Sequence, residues 1–416
     1  MSARRLLAGV RGDAPLSLAG HEAVHGPAPA PGPGPGLIEA AQLAGLRGRG
    51  GAAFPTAVKL RGVASQRSPR SVLVNGAEGE PLSGKDRVLM RLAPHLVLDG
   101  AMAAAAAVGA REVVVAVRAD GAGAVESLRR ALAERAGDPA STIVTVPVAY
   151  LAGEESALIR HLDGGPLKPV VVPPLPFERG LRRRPTLVQN PETLAHLALI
   201  ARHGPEWFRG LGTPAHSGTA LVTVAGEVAR PGVQEVACGT PLDAVIAAAG
   251  GATQALRAVL IGGYHGTWIP ARAIGAVTLD DEGLSAYGAT LAAGVVVALG
   301  ESACPVQELA QTMWWLAEQS ARQCGPCSHG LPALAAMLAA IASGTAPPDA
   351  GDRLVLWGKQ VTGRGACRLP DGAVRFLASG LRVFAAELDE HARRGPCRAC
   401  PKPTVLAAPA GRRVAA

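Results

Sequence analysis

The most chemically specific residues of this 416-residue chain are thiols: Cys324-Gly-Pro-Cys327, then Cys367 in the loop Gly363-Arg-Gly-Ala-Cys367-Arg368. A Cys-x-x-Cys pair between two predicted helices, with a third cysteine in a later loop, is how a helical region gathers thiolates around iron or zinc. It puts electron transfer first among the functions to weigh. His329, two residues past Cys327, is a candidate fourth ligand, set against a plain surface-loop histidine. The seven cysteines are odd in number and clustered, which speaks against a secreted disulfide framework and for a reducing compartment. Cys238 reads as a packed, small apolar thiol. Cys397-Arg-Ala-Cys400 cannot hold a cluster alone; it could form a disulfide, bind metal with Cys304, or do neither.

Four further stretches carry polar chemistry. Gly45-Leu-Arg-Gly48-Arg49-Gly50-Gly51-Ala-Ala-Phe54-Pro-Thr56, followed by Lys59, has the glycines that let backbone N–H groups approach a phosphate at a helix start; by motif alone a flexible loop is the competing reading. Asn75-Gly-Ala-Glu78-Gly-Glu80-Pro81 follows an apolar strand, where open α/β sheets bind ligands. Gly153-Glu154-Glu155 opens a helix, and its carboxylates could simply favour that N-terminus. In Arg184-Pro-Thr-Leu-Val-Gln189-Asn190-Pro-Glu-Thr193, Asn190 offers an amide and Thr193 a helix cap.

The elements that must position these residues follow from pattern. Residues 1–36 end in a Pro/Gly tract and read as a flexible leader. Over 37–212, apolar runs at 71–74, 112–117 and 142–146 alternate with helical patterns at 88–109 and 124–136, which implies a Rossmann-like α/β layer domain. Residues 213–300 read as a small α+β domain: a strand at 220–225, a turn at 230–232, a return strand at 233–236, and a helix opened by Thr240 as cap and Pro241. Residues 301–395 read as four helices, 305–321, 331–343, 349–362 and 374–393, joined by short loops as an antiparallel bundle. Parity then places Cys324, Cys327 and Cys367 at one end, and Cys304, Cys397 and Cys400 at the other. Residues 396–416 read as a tail.

The chain is 48% hydrophobic but only 3% aromatic, with net charge +8. Its basic residues are scattered apart from Arg182-Arg183-Arg184, Arg393-Arg394 and Arg412-Arg413, and no basic stripe with interleaved aromatics serves nucleic acid. A phosphate-bearing cofactor or an acidic protein partner fits better. Met1 to Arg11 lacks an apolar stretch of signal-peptide length, and the alanine run 101–108 is too short to span a bilayer. The expectation is a cytoplasmic protein, peripheral at most to a membrane complex.

Taken in order over about residues 37–395, these segments resemble the flavin-bearing, NADH-oxidising F subunit of respiratory complex I and its relatives in soluble hydrogenases and formate dehydrogenases. The loop Gly45–Thr56, Glu78-Gly-Glu80-Pro81 with Lys85-Asp86-Arg87, Gly153-Glu154-Glu155, Lys168-Pro169 and Asn190 carry the resemblance. It implies an FMN domain, a ubiquitin-like domain of the SLBB (soluble-ligand-binding) type, and a helical bundle with one 4Fe–4S cluster. It also implies that Gly48, Arg49, Gly50, Gly51, Lys59, Asn75, Glu78, Gly153, Glu154, Gln189 and Asn190 serve FMN, and that Phe54, Glu80, Glu155 and Lys168 lie toward a nicotinamide nucleotide. The implied partner is a ferredoxin-like or thioredoxin-like iron–sulfur subunit within a larger redox complex.

The sequence departs from the family at Ala53, Ala77 and Gln189. Gly62 and Val171 stand where the family stacks aromatic rings on NADH, so NAD use is left open. Ala321 stands where the family has its first cluster cysteine, leaving a three-cysteine 4Fe–4S centre or a 3Fe–4S centre. Three readings result: an FMN and iron–sulfur oxidoreductase subunit, an electron-transfer adaptor to a ferredoxin or membrane reductase without NADH chemistry, and a scaffold with zinc on Cys324, Cys327, Cys367 and His329.

Overall fold

The computed structural model describes residues 4–27, 34–67, 69–135, 138 and 141–406. Residues 28–33 of the Pro/Gly tract and Arg412-Arg413 lie outside the described residues. The chain divides into two compact units: Met1–Gly79, Ser83–Val222 and Val233–Thr240 form the first, and Glu80–Leu82, Thr223–Gly232 and Pro241–Ala416 the second.

The first unit contains α1 (Leu18–His25), α2 (Gly34–Leu43), α3 (Thr56–Ala64), β1 (Arg70–Gly76), α4 (Lys85–Leu92), α5 (Pro94–Val108), β2 (Ala110–Arg118), α6 (Ala122–Ala133), β3 (Ser141–Val146), α7 (Glu155–Leu162), α8 (Pro176–Arg179), β4 (Thr186–Gln189) and α9 (Pro191–Arg209). Its sheet runs β3-β2-β1-β4, and the ladders are parallel. Strands covered on both faces read as unbroken apolar runs. Val72 and Val74 face Leu60, Leu89, Leu96 and Leu194 from the helices on one side, while Leu73, Val114 and Val188 face Leu158 of α7 on the other. Each such side chain, fully buried, contributes about 1.5–3 kcal/mol.

Two expectations are corrected here. The single helix expected over 88–109 is two helices bent by 96°. Pro94 cannot donate to a helical ladder and clashes with the preceding turn, and Ala93 sits at φ −127°, ψ 53°. The segment expected as a flexible leader is folded wherever it is described. The Glu235 carboxylate accepts the N–H groups of Arg5, Leu6 and Leu7 at 2.9–3.0 Å, and the Arg5 guanidinium stacks 3.8 Å over the Trp207 ring. His21 of α1 lies 2.7 Å from the buried Asp99, which also binds Arg135 at 2.7 Å and Arg202. Burial opposes the Asp99 charge, but these partners outweigh it and hold its pKa well below the carboxylate range.

Next come β5 (Thr219–Gly226), β6 (Gly232–Ala237), α10 (Leu242–Ala248), β7 (Leu256–Ile261), β8 (Thr267–Pro270), α11 (Asp281–Ser285), β9 (Val295–Gly300), α12 (Pro305–Glu318), α13 (Leu331–Ser343), α14 (Ala350–Val361), α15 (Leu369–Val383) and α16 (Ala385–Arg394). In the second unit, Thr223–Gly226 of β5 runs parallel to β9, and β7 pairs antiparallel with both β9 and β8. Pro241, not Thr240, is the cap of α10.

The helices α12, α13, α14 and α15 pack in a closed ring, each against the next and α15 against α12. The helix expected over 374–393 is α15 and α16, broken at Phe384 (φ −111°, ψ 28°). The Phe384 ring packs edge-on against Trp268 of β8 at 5.1 Å, and the Trp268 backbone N–H donates to Ser379 Oγ at 3.0 Å. That shared core is why residue 300 does not separate units. Pro326–Ser343 meets the length and hydropathy of a membrane span by composition; its Leu331, Leu334, Leu338 and Ile341 are buried within the protein.

Candidate functional site

The glycine-rich segment is a closed loop at the carboxyl edge of the first unit's sheet. Gly48 N–H donates to the Phe54 carbonyl at 2.9 Å, and Thr56 N–H to that of Leu46 at 2.9 Å. The Arg49 N–H donates to Thr193 Oγ1 at 2.8 Å. Thr193 is therefore a loop anchor; the α9 cap is Asn190, whose side chain accepts from Glu192 N–H at 3.0 Å. The Arg49 guanidinium is buried, directed at His216 Nε2 (2.6 Å), the Ser217 carbonyl (3.3 Å) and Cys238 Sγ (3.5 Å). Its side chain thus braces the loop from inside, and Cys238 is packed as expected.

Gly50 faces Asn190: a Cβ there would lie 3.3 Å from the Asn190 Cβ. Only a residue without one leaves room for a ligand against both backbones. Asn190 in turn donates to Asp86 Oδ2 at 2.6 Å. Behind it lies a buried charge cluster, with Lys85 Nζ 2.7 Å from Asp86 and 2.8 Å from Glu192. Burial works against the Lys85 charge, but Asp86 and Glu192 outweigh it and lift its pKa. Burial raises Asp86 to about 7 despite Lys85, and Lys85 draws Glu192 down to about 2 against its own burial. Glu192 is signalled in the sequence only by the Pro191-Glu192 helix start, which does not mark it as part of a buried cluster.

The other predicted residues converge on the same edge. Lys59 Nζ lies 2.8 Å from Glu155 Oε2 and 3.5 Å from the Val188 carbonyl. Asn75 donates to the Gly153 carbonyl at 2.9 Å. Gly79 packs directly on the Tyr150 carbonyl, 2.2 Å from where its Cβ would stand. Val74 of β1 pairs with Gln189 of β4, so Asn75 and Gln189 stand side by side at the strand ends. Gln189 Nε2 and Thr56 Oγ1 are buried with no hydrogen-bond partner among the described residues. Orphaned donors beside a glycine cradle fit a ligand rich in phosphate and carbonyl oxygens.

Some predicted residues have structural duties instead. Glu78, at φ 35°, accepts Ser83 Oγ at 2.7 Å and Asp86 N–H at 3.0 Å, capping α4. Glu154 caps α7 through Ala157 N–H at 2.7 Å. Glu80, in the second unit, accepts Tyr264 N–H at 2.9 Å and Leu82 N–H at 3.2 Å. Phe54 and Lys168 are exposed. Val171 is 78% exposed. Beside Gly62 the structure places an aromatic that the sequence reading missed: the Phe177 ring lies 3.5 Å from where a Gly62 Cβ would stand.

In the second unit, the loops bearing the predicted cluster thiols meet. Burial opposes the Cys324 thiolate, but the N–H groups of Ala366 and Cys327 outweigh it and lower its pKa. Burial, with the neighbouring Cys324, pushes Cys327 up to about 12, and Cys367 adds to the rise. Three thiols on one loop pair suit an iron–sulfur centre. Ala321 is buried and His329 exposed. Among the described residues, the one group of three or more ligands close enough for a single ion is a different set: Cys304, His391, Cys397 and Cys400.

Comparison with known proteins agrees with this arrangement. Residues 41–199 match the Nuo51 FMN-binding domain, 221–263 an SLBB domain, and 307–391 the NADH-ubiquinone oxidoreductase-F iron–sulfur binding region. The chain is 32% identical over 378 residues to an F subunit of the NADH-quinone oxidoreductase of Rhizobium meliloti (strain 1021), covering 87% of this chain and 90% of that one. It is 30% identical to the corresponding F subunit of Rhodobacter capsulatus, over 85% of this chain and 86% of that one. Its fold matches a chain of the H2-reduced NAD+-reducing [NiFe]-hydrogenase with TM-score 0.82 and 32% identity, over 88% of this chain and only 65% of that one. With the flavin-type cradle in one unit and the thiolate loops in the other, the chain belongs to the family of NADH-quinone oxidoreductase F subunits, whose members are FMN and iron–sulfur oxidoreductases.

Proposed function

We propose that this chain holds FMN at the carboxyl ends of β1 and β4 and an iron–sulfur centre on Cys324, Cys327 and Cys367, and that it passes electrons from a two-electron donor to one-electron carriers. The observation that carries this reading is Gly50 against Asn190, with Lys59, Asn75 and the unpartnered Gln189 amide on the same edge. Bound FMN would supply the conversion between two-electron and one-electron chemistry. Gly50 and Gly51 offer backbone N–H groups to its phosphate. Lys59, one-third exposed in its pair with Glu155, can turn its ammonium to the same phosphate. Asn75, Gln189 and Asn190 offer amides to the ring system, and the Lys85 cluster fixes Asn190. We read α12–α15 as the four-helix bundle that carries the cluster. Where the family has a further cluster cysteine this chain has the buried Ala321, so His329 or solvent would complete a 4Fe–4S centre, and a 3Fe–4S centre would need no fourth ligand.

For the donor, neither Gly62 nor the exposed Val171 supplies a ring, the ring beside Gly62 being that of Phe177 from α8, and Glu80 spends its carboxylate on backbone N–H groups. These favour the adaptor reading, in which a ferredoxin-like or thioredoxin-like iron–sulfur partner in a larger cytoplasmic redox complex exchanges electrons with this chain. Anaerobic stopped-flow mixing of the flavin-loaded protein with NADH tests it. Slow or absent flavin bleaching is expected; fast bleaching at micromolar NADH makes NADH the donor and overturns the adaptor reading.

A further inference from the structure

Cys304 caps α12, His391 lies in the last turn of α16, and Cys397 and Cys400 follow the chain reversal at Gly395. Their ligand atoms all lie within 4.8 Å of one another. We propose that these four residues form a closed structural zinc site, separate from the thiolates assigned to the iron–sulfur centre.

The geometry is that of a tetrahedron around one ion. Zn–S bonds of about 2.3 Å and a Zn–N bond of about 2.0 Å imply edges of about 3.8 Å between sulfurs and about 3.5 Å between sulfur and nitrogen. Cys304 Sγ lies 3.5 Å from Cys400 Sγ, and Cys397 Sγ lies 3.7 Å from Cys400 Sγ. His391 Nε2 lies 3.4 Å from Cys304 Sγ and 3.3 Å from Cys400 Sγ. The imidazole is oriented for the task. Its Nδ1 lies 2.8 Å from the Glu387 carbonyl, which can only accept, so the proton resides on Nδ1. The Cys397 N–H points at Nε2 from 3.4 Å, so Nε2 presents a lone pair. A second-sphere carbonyl on the far nitrogen is the usual arrangement of a metal-bound histidine. An iron–sulfur cubane does not fit, because its ligands attach to separate irons and must stand further apart than one ion requires. Binding releases the thiol protons to solvent and leaves the imidazole neutral.

The site would act as a clip. Beyond Cys400 the chain runs back along α12, where Glu308 accepts Val405 N–H at 2.7 Å and Leu406 N–H at 2.9 Å, and Tyr264 donates its hydroxyl to the Leu406 carbonyl at 3.1 Å. An ion holding Cys397 and Cys400 to Cys304 and His391 fixes the start of that run.

The test uses the full-length chain purified without oxygen, with zinc, iron and acid-labile sulfide measured per chain. One zinc per chain is expected, retained when Cys324, Cys327 and Cys367 are all changed to Ser. The pair Cys397→Ser and Cys400→Ser should lose it while keeping flavin and iron, which shows that the variant folds. Cobalt(II) added to zinc-stripped protein should give the visible bands of a tetrahedral thiolate site, absent from the pair variant. The proposal is overturned if flavin-loaded protein takes up neither zinc nor cobalt, if zinc follows Cys324, Cys327 and Cys367 instead, or if thiol counting finds a Cys397–Cys400 disulfide.

Discussion

Replacing Lys85 by Met isolates the charge cluster that fixes Asn190. Methionine keeps most of the volume and removes the ammonium that lies 2.7 Å from Asp86 and 2.8 Å from Glu192. Both carboxylates then lose their ion-pair partner while buried, at 3% and 1% exposure. Breaking a buried ion pair from one side costs about 3–5 kcal/mol, mostly the penalty of the stranded partner. The sign with pH follows. With Lys85 present, Glu192 titrates at about 2, below its unfolded value, so it contributes stability at neutral pH that is lost as pH falls through the folded value. Without Lys85, burial lifts Glu192 above its unfolded value as well, and Asp86, which burial already holds at about 7 beside Lys85, rises further. The deficit is then full at alkaline pH and shrinks by about 1.4 kcal/mol per pH unit as Glu192 takes its proton in the variant alone; Asp86 adds to the change only above about 7, since below that it is protonated in both proteins. Urea unfolding of the cofactor-free chain, followed by far-UV circular dichroism, should show the full deficit at pH 8 and roughly 2 kcal/mol less of it at pH 5.5. Flavin affinity should fall too, since Asp86 would no longer hold Asn190 in place. A deficit under about 1 kcal/mol at pH 8, or one that does not change with pH, would refute the reasoning.

Gly50→Val should release flavin, because its branched side chain enters the space against the Asn190 Cβ; full stoichiometric FMN after gel filtration would contradict the cradle. Lys59→Met should weaken FMN binding at least tenfold by fluorescence titration while leaving the melting temperature nearly unchanged, since a pair one-third exposed is worth at most about 1 kcal/mol. Burial, with the charges of His21 and Arg202, holds His25 at about 4. The unfolded imidazole binds its proton near 6.5, so stability is full above that value and falls as pH drops toward 4; His25→Gln should flatten that part of the profile. Gly62→Ala, whose Cβ meets the Phe177 ring at an ordinary 3.5 Å, should stabilise α3 by about 0.5–1 kcal/mol in the same unfolding assay.

What was legible in the sequence is what local pattern encodes. The strands at Arg70–Gly76, Ala110–Arg118 and Ser141–Val146 announce themselves as apolar runs because a parallel sheet is covered on both faces. Thr186–Gln189 does not: four residues between an arginine run and a helix cap carry no period. The break at Pro94 was signalled by the proline and overridden by the apolar run around it. The glycine loop was readable as a phosphate-type cradle, but Arg49 was grouped with the FMN residues, and only the positions of His216 and Cys238 reveal that its guanidinium turns inward. Glu78, Glu80 and Glu154 looked like ligand carboxylates and are largely consumed by nearby N–H groups, which composition cannot show. Parity separated the two sets of cysteines and left metal binding with Cys304 as one option for Cys397 and Cys400, but choosing among the options, and finding His391 beside them, required the fold of the tail.

The three-residue strap Glu80–Leu82 has a consequence for how this polypeptide can be made and cut. It belongs to the second unit although first-unit sequence flanks it on both sides, and Glu80 finds its partner N–H at Tyr264, 184 residues later. At the ribosome, neither unit can close while the first two hundred residues are being synthesised: Arg5 waits for Glu235, and Glu80 for Tyr264. Loop closure over such spans is slow, and the nascent chain carries exposed apolar strands throughout that interval. The same interleaving means that no single scission yields two independent halves. A fragment ending near residue 212 would lack Glu235, and one beginning there would lack Glu80, so expression of either piece alone should give aggregated protein rather than a minimal flavin or cluster domain.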